Sequence, residues 1–180
     1  AHTMLALLYE RVDEDELADR EYRLAVQYDP QGGDVNNNYG AFLCSRGKLA
    51  EAEPYFITAI DDAFYTTPQI AFNNAGSCAL RRGDLDKAES FLRQSMELDD
   101  KQAAALLPMA EVSYQQGKYL HARAFLQRYE AVGPPSEESL GLGYRVESTL
   151  GDEESARRYR RALEQQYPGS TQAGGTAGRE

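Results

Sequence analysis

Small and large apolar residues return along this chain at fixed intervals. The stretches RGKLAEAEPYF (46–56), RGDLDKAESFL (82–92), QGKYLHARAFL (116–126) and LGDEESARRYR (150–160) align on Gly47, Gly83, Gly117 and Gly151, spaced 36, 34 and 34 residues apart. Five residues after each glycine stands an alanine (Ala52, Ala88, Ala122, Ala156), and four beyond that Phe56, Leu92, Leu126 or Arg160. A separation of four keeps two side chains on one helical face, so the alanine admits a neighbouring helix while the larger residue fills the space beside it. Another helical pattern precedes three of the glycines: Tyr39, Gly40 and Leu43; Phe72, Ala75, Gly76 and Ala79; Leu106, Met109 and Ala110. Each unit therefore reads as helix, tight glycine turn, helix, and the period marks a repeated supersecondary unit.

This pattern resembles the tetratricopeptide repeat, with Gly40, Gly76 and Ala110 at the small position of the first helix and Pro30, Pro134 and Pro168 at the exit. The resemblance extends backwards, because Leu5, Ala6 and Tyr9 fit a first helix and Ala18, Tyr22 and Ala25 a second. Asp13 takes the place of the turn glycine, a residue that tolerates left-handed backbone better than most. The resulting expectation is an all-α, right-handed superhelical solenoid of five helix-turn-helix repeats, at about 1–32, 33–68, 69–102, 103–136 and 137–170. Residues 1–171 form a single repeat domain in this reading, and 172–180, within GSTQAGGTAGRE, a disordered tail without apolar anchors. The two extra residues of the second unit fall near FYTTPQ (64–69), which reads as a lengthened loop. Pro54 and Pro108 are expected near helix starts, where a missing N–H costs nothing. Gly143, Tyr144, Glu147 and Arg160 depart from the packing pattern, so the fifth unit reads as a terminal cap with a polar outer face.

Composition narrows the function. Nineteen basic residues against 29 acidic give a net charge of -10, a field that repels phosphate backbones and anionic headgroups. Nucleic acid is not an expected partner. No apolar run approaches the roughly 20 residues of a membrane helix. His2 and His121 lie in different units, without the clustered Cys, His or carboxylates that a metal site requires. The run DEDE (13–16) lacks the alternating ligands of a cation loop, and Ser77 in NNAGSCAL lacks a nucleophile elbow and a paired base. No catalytic residue, metal or cofactor is therefore assigned.

In the repeat's register the first helices line a concave groove, the expected seat for a protein partner. Asn37, Ala41, Asn73, Ser77, Leu107, Glu111 and Tyr114 are its candidate lining. Asn38 and Asn74 hold a position where asparagine serves the scaffold. Cys44 and Cys78 fall at corresponding levels of neighbouring first helices. They can form a disulfide where their side chains face each other, or stay buried thiols in a reducing cytosol, and the compartment decides.

The blocks NNNYGAFLCSRGKLAEAEPYFITAI, AFNNAGSCALRRGDLDKAESFLRQSMELD and LPMAEVSYQQGKYLHARAFLQRY, with YPGS after them, resemble the type IV pilus biogenesis and stability proteins known as PilF or PilW. That resemblance implies a pilotin: a lipoprotein at the periplasmic face of the outer membrane of a Gram-negative bacterium. It would promote the outer-membrane localisation or multimerisation of the pilus secretin, whose subunit would be its protein partner. Membrane contact would run only through a lipid anchor, and the cysteine expected to bear it is absent from this chain. In that compartment the resemblance implies an oxidised Cys44–Cys78 pair. The competing expectation is a general repeat scaffold for another envelope or cytosolic complex.

Overall fold

The structure, a computed structural model, describes residues 1–100 and 102–169. Among the described residues there are ten helices and no strand. They divide into two compact units. The first, residues 1–100, holds α1 (His2–Arg11), α2 (Asp15–Tyr28), α3 (Gly33–Ser45), α4 (Leu49–Asp61), α5 (Pro68–Arg82) and α6 (Leu85–Leu98). The second holds α7 (Ala103–Gln115), α8 (Tyr119–Val132), α9 (Glu137–Leu150) and α10 (Glu153–Gln166). Successive helices pair as hairpins, α1 with α2, α3 with α4, α5 with α6, α7 with α8 and α9 with α10. Within a unit each hairpin stacks on the next, and first helices meet as α3 with α5 and α7 with α9. The tail expected at 172–180 lies outside the described residues.

The turns follow from backbone sterics. Gly47, Gly83, Gly117 and Gly151 have φ between 74° and 80°, and nothing stands within 4 Å of a Cβ built at any of them. The left-handed backbone, not lack of room, selects glycine there. Asp13 makes the corresponding turn with φ 57° and is the single non-glycine residue with positive φ among those described. After two of these glycines an aspartate starts the next helix: Asp84 accepts from the Lys87 N–H and Asp152 from that of Ser155.

Between the helices of a hairpin, the small and large positions interlock. Ala52, Ala88, Ala122 and Ala156 are buried, as are Phe56, Leu92 and Leu126. A Cβ on Gly40 would lie 2.8 Å from the Phe56 ring, and one on Gly76 would lie 2.7 Å from Leu92 Cγ. Close approach of the two helices, then, is what glycine provides at these sites. Each large side chain so buried is worth about 2–3 kcal/mol of transfer free energy.

The fifth repeat keeps this pair in a shifted register. Gly143 faces Tyr159, whose ring carbon lies 2.5 Å from where a Cβ would be. The separation of 16 residues equals that of Gly40 from Phe56 and Gly76 from Leu92, but both members sit one residue closer to the N-terminus relative to the turn glycine. Gly143 is thus a packing residue after all. Arg160 is exposed and pairs with Glu164 in its own helix, 3.0 Å apart. Glu147 belongs to the interior rather than a polar outer face: it is 4% exposed, and both of its oxygens take the Arg123 guanidinium from α8.

The prolines also differ from expectation. Pro54 and Pro108 lie inside α4 and α7, each the sixth helical residue. The carbonyls they leave without an intrahelical donor belong to Ala50 and Ala104, both exposed, where water can take the donor's place.

The lengthened loop is present. Residues 62–67 join α4 to α5, six residues where the connections at 29–32 and 133–136 have four. Tyr65 turns inward, 8% exposed, and packs with Ala59 and Ala71.

Candidate partner-binding site

The first helices of the first unit, α3 and α5, are tied together at three levels. Near their starts the Asn74 amide donates to Asn37 Oδ1 across 2.9 Å. Near their ends Cys44 and Cys78 face each other with Cα atoms 5.9 Å apart and are joined as a disulfide. One turn on, Arg81 donates to the Cys44 carbonyl at 2.7 Å, supplying positive charge at the α3 C-terminus. These ties span the candidate lining. Asn37 is only 6% exposed, less open than its register suggests, because Asn74 closes over it. Ala41 is half-buried and packs against the core. Asn73 and Ser77 are half-buried on α5, and the Asn73 side-chain oxygen is shielded from solvent with no hydrogen-bond partner.

Asn36 has a different task that its neighbours in NNN disguised. It is 1% exposed, and its amide donates to the carbonyls of Pro30, at 3.1 Å, and Gly32, at 2.9 Å. It therefore holds the loop that starts α3.

In the second unit the candidates form a separate cluster. Leu107 on α7 is 8% exposed. Glu111 takes Arg145 of α9 in a two-pronged contact at 2.6 and 3.3 Å, and the same guanidinium lies 4.9 Å from the Tyr114 ring centroid. Gln115 donates to Glu111 Oε1 at 2.9 Å, the oxygen that also accepts the longer of the two Arg145 contacts. Arg145 escaped the sequence reading. The signal was available, since it stands 34 residues after Glu111 and carries the opposite charge.

A similar signal runs along the second helices. In three repeats the residue six past the turn position reaches the first helix of the next: Asp19 accepts from the Tyr39 hydroxyl at 2.9 Å, Glu53 pairs with Arg82 at 2.8 Å, and Arg123 pairs with Glu147. Burial raises the Asp19 carboxyl, but hydrogen bonds from Arg23 and Tyr39 outweigh it and leave the group below its usual range. For Glu53 the Lys87 hydrogen bond lowers the pKa most; burial opposes it and Arg82 reinforces it. Burial also pushes the Tyr39 hydroxyl well up, and its bond to Asp19 pushes it further. Those contacts fix the stacking on which any groove depends.

Among the described residues no cluster of three or more His, Cys, Asp or Glu side chains could hold a metal ion. Nor is any described helix long and apolar enough to cross a membrane. The arrangement offers amides, a hydroxyl and a clasped carboxylate on rigid helices, groups that recognise polypeptide backbone and side chains.

The tetratricopeptide repeat family matches residues 33–101 and, in a second match, 79–142. The type IV pilus assembly protein PilF of Pseudomonas aeruginosa is 32% identical over 170 residues, which cover 94% of this chain and 68% of PilF. Among solved structures, PilW, a widely conserved type IV pilus biogenesis factor, matches 93% of this chain and 77% of its own at 29% identity, with a TM-score of 0.85. The structure of Pseudomonas aeruginosa PilF matches 93% of this chain and 76% of its own at 31% identity, again with a TM-score of 0.85.

Proposed function

Because this chain belongs to the PilF family of type IV pilus assembly proteins, built from tetratricopeptide repeats, we propose that it works as a pilotin. In this reading it is a protein-interaction scaffold without enzymatic chemistry. It binds the secretin subunit and promotes its localisation and multimerisation at the outer membrane. It acts at the periplasmic face, held there by a lipid. The observation that carries the proposal is the likeness to PilF and PilW over 93–94% of the chain, at 29–32% identity.

The proposed contact in the first unit is the α3–α5 surface of Asn37, Ala41, Asn73 and Ser77, and in the second unit the cluster of Leu107, Glu111 and Tyr114. Asn73 is the position to test, because it is half-buried on α5 and replacing it breaks no side-chain hydrogen bond of its oxygen. Asn37 is the poorer test, since replacing it also breaks the bond from Asn74. Recovery of the secretin subunit on immobilised wild-type chain is compared with recovery on Asn73→Arg and on Arg160→Glu, whose site is exposed on α10. With melting temperatures unchanged, Asn73→Arg weakens binding by about 1–3 kcal/mol through the bulky, unpaired charge, and Arg160→Glu leaves it intact. Equal recovery on all three places the contact away from α5. Failure of the wild-type chain to retain secretin refutes the pilotin reading itself.

A further inference from the structure

The lengthened loop between α4 and α5 has a part that neither the fold nor the groove uses. Phe64 is 92% exposed, the most exposed of the large apolar side chains. A lone apolar residue on a surface is ordinary; what distinguishes Phe64 is the bracing beneath it. Asp62 Oδ1 accepts from the Phe64 N–H at 2.9 Å, while Oδ2 of the same carboxylate accepts from the Gly33 N–H at 2.8 Å. The next residue, Tyr65, is buried and donates its own N–H to the Asp62 carbonyl at 3.1 Å. A Cβ on Gly33 would lie 2.5 Å from Tyr65, so the start of α3 is shaped to receive that ring. The two extra residues thus set one aromatic ring into the fold and hold its neighbour out in water at fixed backbone geometry.

The surroundings are acidic. From Leu49 to Leu80 the chain has no lysine or arginine, and Asp61 and Asp62 stand where the loop itself begins. Asp61 and Asp34 are exposed, and Asp34 lies close enough to oppose ionisation of Tyr65. An anionic lipid surface would be repelled here.

We propose that Phe64 is a preorganised anchor that enters an apolar pocket rimmed by lysine or arginine on the secretin subunit, with Asp61 and Asp34 meeting that basic rim. The inference rests on the pilotin reading and adds to the groove a second, independent contact. An aromatic side chain on a braced backbone has only two χ angles to lose on docking, which suits it to be a binding hot spot.

The test measures affinity of the intact chain for the detergent-solubilised secretin subunit. Phe64→Ala should weaken binding roughly tenfold or more with an unchanged melting temperature, and Phe64→Trp should retain it. Raising NaCl from about 50 to about 300 mM should weaken wild-type binding, and Asp61→Asn should reduce that salt dependence. If Phe64→Ala binds like wild type while Asn73→Arg does not, the anchor is refuted and the pilotin reading stands. If wild type does not bind the secretin subunit at any salt concentration, both fall together. Binding that tracks Phe64 but shows no salt dependence refutes the basic rim.

Discussion

The bond between Cys44 and Cys78 makes the sharpest quantitative prediction. It joins α3 to α5 across 34 residues of sequence, and the loop so closed contains all of α4. In the chain-entropy treatment, closing such a loop removes about 13 cal/mol/K from the unfolded ensemble, or about 4 kcal/mol near room temperature. For a unit of about 100 residues, 1 kcal/mol moves the melting temperature by about 4 °C or more, so the bond should be worth roughly 15 °C. The perturbation is reduction of the wild-type protein, which adds two hydrogens and otherwise leaves the composition alone. Thermal melts with and without reductant are compared with those of Cys44→Ala/Cys78→Ala, which should melt near the reduced wild type and ignore the reductant. Alkylation of unreduced protein isolated from its native compartment, read by mass spectrometry, should label neither cysteine. Two labelled thiols would refute the oxidised pair in that compartment. Oxidised and reduced melts that coincide would refute the magnitude, showing that residual structure already confines this segment in the unfolded chain.

Three further predictions concern the packing of the helices. Gly76→Ala places a Cβ 2.7 Å from Leu92 Cγ and 3.2 Å from the Leu92 backbone nitrogen, so it should destabilise the first unit by about 1–3 kcal/mol in urea unfolding. An alanine there that leaves the urea midpoint unchanged would show that α5 and α6 separate at little cost. Glu53 has a folded-state pKa held below its ordinary value of 4.5, so its contribution is complete above that value and is lost as pH falls through the folded pKa. Glu53→Gln should therefore flatten the acid limb of the urea midpoint against pH. Glu10 works in the opposite sense: burial raises its pKa, so protonation on the folded chain offsets part of the acid loss, and Glu10→Gln should steepen the same limb.

The amino-acid sequence alone determines the repeat. Glycine spacing, the alanine five residues on and the large residue beyond it dictate hairpins. The left-handed turns at Gly47, Gly83, Gly117, Gly151 and Asp13 follow from φ preferences that act within one residue. Such features are legible because they are local: helical periodicity assigns each side chain a face of its own helix. Partners across helices depend instead on the level and rotation of one helix against another, which no single period contains. Only the tertiary structure therefore shows that Asn74 closes over Asn37, that Arg145 clasps Glu111 and Tyr114, and that Glu147 is buried against Arg123. The one-residue shift of Gly143 and Tyr159 is of the same kind, because a packing pair is conserved by the gap between two axes and not by its distance from a turn. The loop at 62–67 shows the division most plainly. Its extra length can be counted in the sequence, but Phe64 and Tyr65 are adjacent aromatics that composition treats alike. Only the cavity over Gly33 decides that Tyr65 goes in and Phe64 stays out.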